Sequence, residues 1–225
     1  MKKILVLGAG AMGSAFTVPC LDNENAVSLI GTHLEDKFID QMMQNDNFHP
    51  VLKCKLPSKL KLKRFEKFAE EFKEKPDLIV LGVNSKGIDW AGNEISKYYT
   101  SEIPILLLTK GLTIIDNQYE TIAEKLKRIL EKNGLKKINI SAVGGPCLAA
   151  GLTNKVKSSV VLANQNIDIV KSIGKMISTN YYSTEFSDDL IGVEVCAAVK
   201  NIYSMIIGAS RGLCSSSASE EIKNK

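Results

Sequence analysis

Short, almost unbroken apolar runs recur along the chain, separated by stretches of helical period. Residues 3–7 (KILVL), 27–30 (VSLI), 78–83 (LIVLGV), 105–109 (ILLLT) and 138–143 (INISAV) carry the Val, Ile and Leu content of strands covered on both faces. Helices are expected over about 11–22, 34–44, 62–73, 88–99 and 117–132. This alternation predicts βαβ units, hence an α/β fold on a doubly wound parallel sheet of the Rossmann type. Two more strands are expected at 158–163 and about 180–185, with a helix near 167–178 between them. From Asp188 the pattern becomes helical throughout, with Ile191, Val195, Ala198, Ile202 and Met205 on one face. A boundary near 187 is therefore expected. It separates a domain of residues 1–187 from residues 188–225, the opening of a second, helical domain.

Composition changes this picture little. The chain has 225 residues, 44% apolar and 24% charged, which argues against disorder. A chain of this length buries roughly 70% of its unfolded surface and needs no cross-link to hold a core. The 29 basic and 25 acidic residues leave a net charge of +4, which permits an anionic ligand without requiring nucleic acid. The lysine-rich segment 53–75 has four glutamates interleaved, so a solvated face is expected there and no nucleic-acid partner. Five cysteines without a CxxC pair, and only two histidines, imply no metal site and a reducing cytoplasm. The apolar stretch 189–209 contains Glu194, Lys200 and Asn201, so a buried helix is expected rather than a membrane span. The amino terminus lacks the pattern of a secretory signal.

The sharpest local motif is Gly8-Ala9-Gly10-Ala11-Met12-Gly13, directly after a strand and opening a helix. Gly8 suits a tight turn, Gly10 the approach of a pyrophosphate, and Gly13 close helix–strand packing. The N–H groups of Ala11, Met12 and Gly13 then face the phosphates at the positive helix end. The plain alternative is a glycine turn made for packing alone. An acid about 20 residues on favours NAD and an arginine favours NADP. Here Ile30-Gly31-Thr32-His33 holds neither, and Glu35 and Asp36 come late. Thr32 and His33 are candidate ribose contacts, and the choice between NAD and NADP stays open.

Three further segments carry unusual chemistry: Leu108-Thr109-Lys110-Gly111-Leu112, Gly144-Gly145-Pro146-Cys147-Leu148-Ala149, and Gly192 to Asn201 on the long helix. The first two sit at strand ends, where open α/β sheets bind ligands. Together GAGAMGSAF, LLTKGL, GGPCLAAGL and IGVEVCAAVKNIYSMIIGASRGL, in this order, resemble NAD(P)-dependent glycerol-3-phosphate dehydrogenase, from Met1 to about Leu213.

The resemblance implies reduction of dihydroxyacetone phosphate to sn-glycerol 3-phosphate, which feeds phospholipid synthesis. It implies Lys200 as catalytic acid/base, Lys110 in contact with both substrate and cofactor, and Asn201 as an orienting neighbour. It also implies Gly145 and Cys147 as substrate contacts and Ala149 as a cofactor contact. Without it, Lys200 reads rather as a helix lysine reaching the surface. Cys147 stands where many members have Ser or Thr, and a thiol donates more weakly. Gly151 replaces an acid of the family's turn. Members also continue past this point with substrate-binding residues, so this chain is expected to bind a dinucleotide and turn over poorly by itself. Its long helix is expected to expose apolar surface. A ketopantoate- or hydroxyisobutyrate-type dehydrogenase and a non-catalytic dinucleotide-binding module are the alternatives. A homodimer is open.

Overall fold

The computed structural model describes residues 1–99 and 103–217. The first half runs β1 (Lys3–Leu7), α1 (Ala11–Asp22), β2 (Ala26–Ile30), α2 (Asp36–Gln44), the two-residue strands β3 (Phe48–His49) and β4 (Cys54–Lys55), β5 (Lys61–Lys63), α3 (Phe68–Lys73), β6 (Leu78–Leu81) and α4 (Ile88–Ser96). The second half runs β7 (Ile105–Leu107), β8 (Leu112–Ile115), β9 (Gln118–Thr121), α5 (Ile122–Lys132), β10 (Ile140–Gly144), α6 (Ala149–Thr153), β11 (Ser158–Ala163), α7 (Ile167–Ile177), β12 (Tyr182–Ser187) and α8 (Leu190–Ser217).

Eight strands form the main sheet in the order β5-β2-β1-β6-β7-β10-β11-β12. From β5 to β10 every pairing is parallel. The apolar runs are unbroken because both faces are covered. Ile4 and Val6 join one core with α1 and α7, whereas Leu5 and Leu7 join the other with α3, α4 and α5.

The chain leaves β1 toward β2 on one side and returns to β6 on the other, so a crevice opens at the carboxyl ends of β1 and β6. Glycines let the layers touch there. Gly8 has φ +108°, and a Cβ on it would lie 2.9 Å from the Gly82 carbonyl carbon. A Cβ on Gly82 would lie 2.7 Å from Gly13 Cα, and one on Gly13 would strike the Gly8 carbonyl oxygen.

Four expectations are corrected. The sheet is not wholly parallel: β11 runs antiparallel to β10. The helix expected over 62–73 starts late, because Leu62 is buried in the short edge strand β5 beside β2, and α3 begins only at Phe68. The helix expected from 117 begins at Ile122. Residues 112–121 form the β8–β9 hairpin, whose two-residue loop, Asp116-Asn117, has φ +49° and +61°. Finally, α8 is not buried. Ile202, Tyr203, Met205, Ile206 and Ile207 are each more than half exposed, because only its first turns pack on the sheet. Among the described residues this is one helix, over 190–213, long and apolar enough to cross a membrane.

In the lysine-rich segment, Arg64 makes two bonds of 2.6 Å to Asp40, Lys63 pairs with Glu71, and Lys67 pairs with Glu70 at 3.0 Å. These three basic side chains are thus paired within the protein's own surface. Gly82→Ala is expected to cost on the order of 2–3 kcal/mol, because the added methyl meets backbone that no rotamer can clear. Urea denaturation of the variant checks this.

Candidate active site in the crevice

The crevice begins at the glycine turn. Helix α1 starts at Ala11 with Gly10 as its N-cap, and no side chain caps it or places an acid in its first turn. A Cβ on Gly10 would meet nothing within 4 Å, so open space lies against this turn. That combination fits an anionic pyrophosphate held by the N–H groups of Ala11, Met12 and Gly13. His49 supports the turn from behind. Its Nδ1 accepts the Leu52 N–H at 3.1 Å, which leaves Nε2–H to donate to the Ala9 carbonyl at 3.3 Å. Burial holds this imidazole below the usual histidine range, in keeping with a neutral ring.

A cleft of about 540 Å³ extends from the turn, lined by Gly8, Gly10, Thr32, His33, Glu35 and Trp90 among others. Thr32 and His33, the two β2-exit residues, both line this cleft. Glu35 is the residue that sequence position missed. Its N–H bonds back to the Thr32 carbonyl at 2.9 Å, and this turn folds its carboxylate toward the glycines. One oxygen of that carboxylate accepts the Thr32 N–H at 2.8 Å and the Ala9 N–H at 3.1 Å. Trp90 of α4, the single tryptophan, lies 4.7 Å from the His33 ring and was also not anticipated.

A second cleft, about 550 Å³, lies between the β7 and β10 exits and α8. Lys110, Gly145, Pro146, Asp189, Cys196 and Lys200 line it. A narrow gap lined by Met12, Lys110 and Cys147 lies beneath, so Lys110 borders the α1 side and the α8 side alike. Thr109 ties the lysine loop down by donating to the Val83 carbonyl at 2.6 Å. Lys110 Nζ donates to the Gly145 carbonyl at 3.2 Å. Gly145 has φ +131°, and a Cβ there would lie 3.0 Å from Val160 Cα, so only glycine turns the chain at this point.

Burial first, and then the positive charge of Lys200, hold the half-buried Lys110 ammonium below the ordinary lysine range, while Cys147 opposes the shift. The two lysines thus share one cleft. The Cys147 thiol is pushed up by burial against the pull of Ser158 and Lys110, which keeps it a poor nucleophile. Two anticipated residues sit less centrally. Asn201 is exposed beside Lys200, and Ala149 opens α6, packed against the core.

Helix α8 packs on β10, β11 and the β8–β9 hairpin, and three specific contacts mark its start. Asp189 caps it, accepting the Gly192 N–H at 2.7 Å. Val193 lies where a Cβ on Gly144 would be, 2.8 Å from its Cγ1, so the helix rides close on β10. Glu194, 5% exposed, accepts the Ala123 N–H at 3.1 Å at the start of α5.

A mostly parallel sheet with this strand order, a switch-point crevice and a bare glycine turn at a helix start define a Rossmann-type dinucleotide-binding protein. Residues 3–170 match the family described as NAD-dependent glycerol-3-phosphate dehydrogenase N-terminus, and the chain belongs to that family. It is 31% identical over 216 residues to an NADP(+)-dependent glycerol-3-phosphate dehydrogenase of Archaeoglobus fulgidus, covering 93% of this chain and 60% of that one. It is 27% identical to a glycerol-3-phosphate dehydrogenase [NAD(P)+] of Bacillus pumilus, covering 95% of this chain and 59% of that one. A crystal structure of glycerol-3-phosphate dehydrogenase from Coxiella burnetii shares the fold with a TM-score of 0.76 at 24% identity, over 94% of this chain and 62% of that one. The chain spans about 60% of the length of the curated relatives it matches.

Two measurements test this geometry. Binding of NADH or NADPH should quench Trp90 fluorescence, and Trp90→Phe should remove the signal while preserving affinity within a few-fold. Glu194 gives a pH signature. Burial pushes its carboxyl up to about 7, with Glu124 adding to the rise. The folded value then lies above the unfolded one, so the folded state binds the proton more tightly and loses stability as pH rises from about 4.5 through 7. Glu194→Gln should recover about 3 kcal/mol relative to the parent at pH 8 and little at pH 4.5, read by urea denaturation at both pH values.

Proposed function

We propose that the Lys110–Lys200 cleft reduces dihydroxyacetone phosphate to sn-glycerol 3-phosphate with NADH or NADPH, and carries the reverse reaction. The observation that carries this reading is that two lysines from distant elements line one cleft, and that Lys110 also borders a gap lined by Met12 of α1. A phosphorylated ketone is a dianion with one polarisable oxygen, and paired ammonium groups match both features. Membership in the family supports the same substrate.

The glycine turn and the Thr32–Glu35 loop hold the dinucleotide, which when bound supplies the hydride for the carbonyl carbon. Lys200 stabilises the negative charge that develops on the carbonyl oxygen and delivers the proton that completes the alcohol. Lys110, anchored to the Gly145 carbonyl, holds the substrate against the cofactor face. Burial and the Lys200 charge make Lys110 a readier proton donor than a free lysine. Gly145 and Cys147 shape the substrate side of the turn, Ala149 stands behind it, and Asn201 orients the Lys200 end. Residues 1–187 form the cofactor-binding domain, and α8 opens a helical substrate domain from 188 onward. Four free cysteines at Cys20, Cys54, Cys147 and Cys196 suit a reducing cytoplasm.

Dihydroxyacetone phosphate should accelerate NAD(P)H oxidation by this chain joined to the carboxyl-terminal portion of a curated relative, and only weakly by the chain alone. Ketopantoate accelerating it instead would overturn the substrate assignment. Lys110→Ala and Lys200→Ala should each lower kcat at least about 100-fold while NADH affinity changes little.

A further inference from the structure

We propose that Glu194 is a positioning residue: by seating its carboxyl on the first turn of α5 it fixes the pose of α8, and with it the placement of Lys200 against Lys110. The inference rests on the reading of the two-lysine cleft as the reaction site. No residue of that mechanism accounts for a carboxylate at position 194.

The observations are these. Glu194 is 5% exposed on a helix whose neighbouring residues Val195 and Cys196 are exposed. Its Oε1 accepts the Ala123 N–H, whereas Oε2 is buried with no hydrogen-bond partner among the described residues. A carboxylate left half-satisfied in the interior costs stability, and an apolar residue of the same size would remove that cost. What the carboxylate supplies is direction. It links α8 to a helix start where Ala123, together with Thr121 and the Ile122 backbone, faces it, and that start is itself rigid, because Thr121 and Glu124 close a reciprocal cap there with bonds of 2.8 and 3.2 Å. Glu124 is the charged group of α5 that faces it, and the nearby Glu120 of β9 is taken up by Arg128 at 2.8 and 2.9 Å. Lys200 follows Glu194 by six residues on the same helix, under two turns away. Asp189 and Val193 limit where α8 starts and how closely it lies, but the Glu194 bond resists rotation about its axis.

The experiment reads Lys110, whose titration senses both its burial under α8 and the Lys200 charge. Glu194→Met keeps the buried volume without an acceptor, and Glu194→Gln keeps an oxygen in place. Pulse acetylation of Lys110 across pH, resolved by peptide mass spectrometry, gives its midpoint without substrate or turnover. NADH affinity, measured in parallel, reports that the glycine-turn core is intact. In Glu194→Met, the Lys110 midpoint should rise toward that of a free lysine and its labelling at pH 8 should fall at least about two-fold, with NADH affinity within two-fold of the parent. Glu194→Gln should label like the parent. Unchanged labelling in Glu194→Met, or an equal fall in Glu194→Gln, overturns the proposal. Parent Lys110 titrating as a free lysine would instead overturn the two-lysine site, and the inference with it.

Discussion

The contact on which the structure depends is backbone against backbone, where α1 crosses the carboxyl ends of β1 and β6. Gly8, Gly13 and Gly82 meet there with no side chain between them. The closeness does more than pack a helix. It brings the uncapped start of α1 level with the sheet edge, so its N–H groups open onto the crevice rather than into a core. His49 and Glu35 then hold the turn from two sides, one through the Ala9 carbonyl and the other through the Ala9 N–H. Both backbone polar groups of one residue are thereby satisfied before any ligand arrives.

At the other end of the crevice the controlling effect is electrostatic. A lone half-buried lysine pays for its desolvation in proton affinity, and a second ammonium adds to that cost. The fold accepts both, along with a buried carboxylate on α8 raised to about 7. Lys110, Cys147 and Glu194 are thus three displaced ionisable groups on α8 and the loops beside it, the kind of setting in which proton chemistry is found.

Much of this was legible in the residues. The strands were visible because burial on both faces leaves an unbroken apolar signature, and the glycine turn because its three glycines have separate steric tasks. The errors have physical causes. β5 contributes only Leu62 to the core, too little to stand against the helical spacing that continues through Phe65, Phe68 and Phe72. The β8–β9 hairpin was signalled by Asp116-Asn117, a pair suited to positive φ, but the apolar residues around it read as helix. Glu35 looked misplaced because counting along the chain ignores the turn that doubles it back. Trp90 and Glu194 matter through partners on other elements, and no local pattern encodes those. The direction of β11 likewise depends on tertiary pairing.

That reversed strand governs how the last helix travels. Since β11 descends beside β10 and β12 descends in parallel with β11, Ser187 ends level with Ala163, and Ala163 with Ala142. Helix α8 thus sets out near the foot of β10, passes Gly144 at Val193, and rises toward the crevice. The ten steps from Leu190 to Lys200 cover about 15 Å. The helix therefore acts as a ruler with a built-in phase. Inserting or deleting one residue along it would swing the terminal amine by about 100° and shift its height by only about 1.5 Å, so the length of this segment is constrained by angle more than by reach.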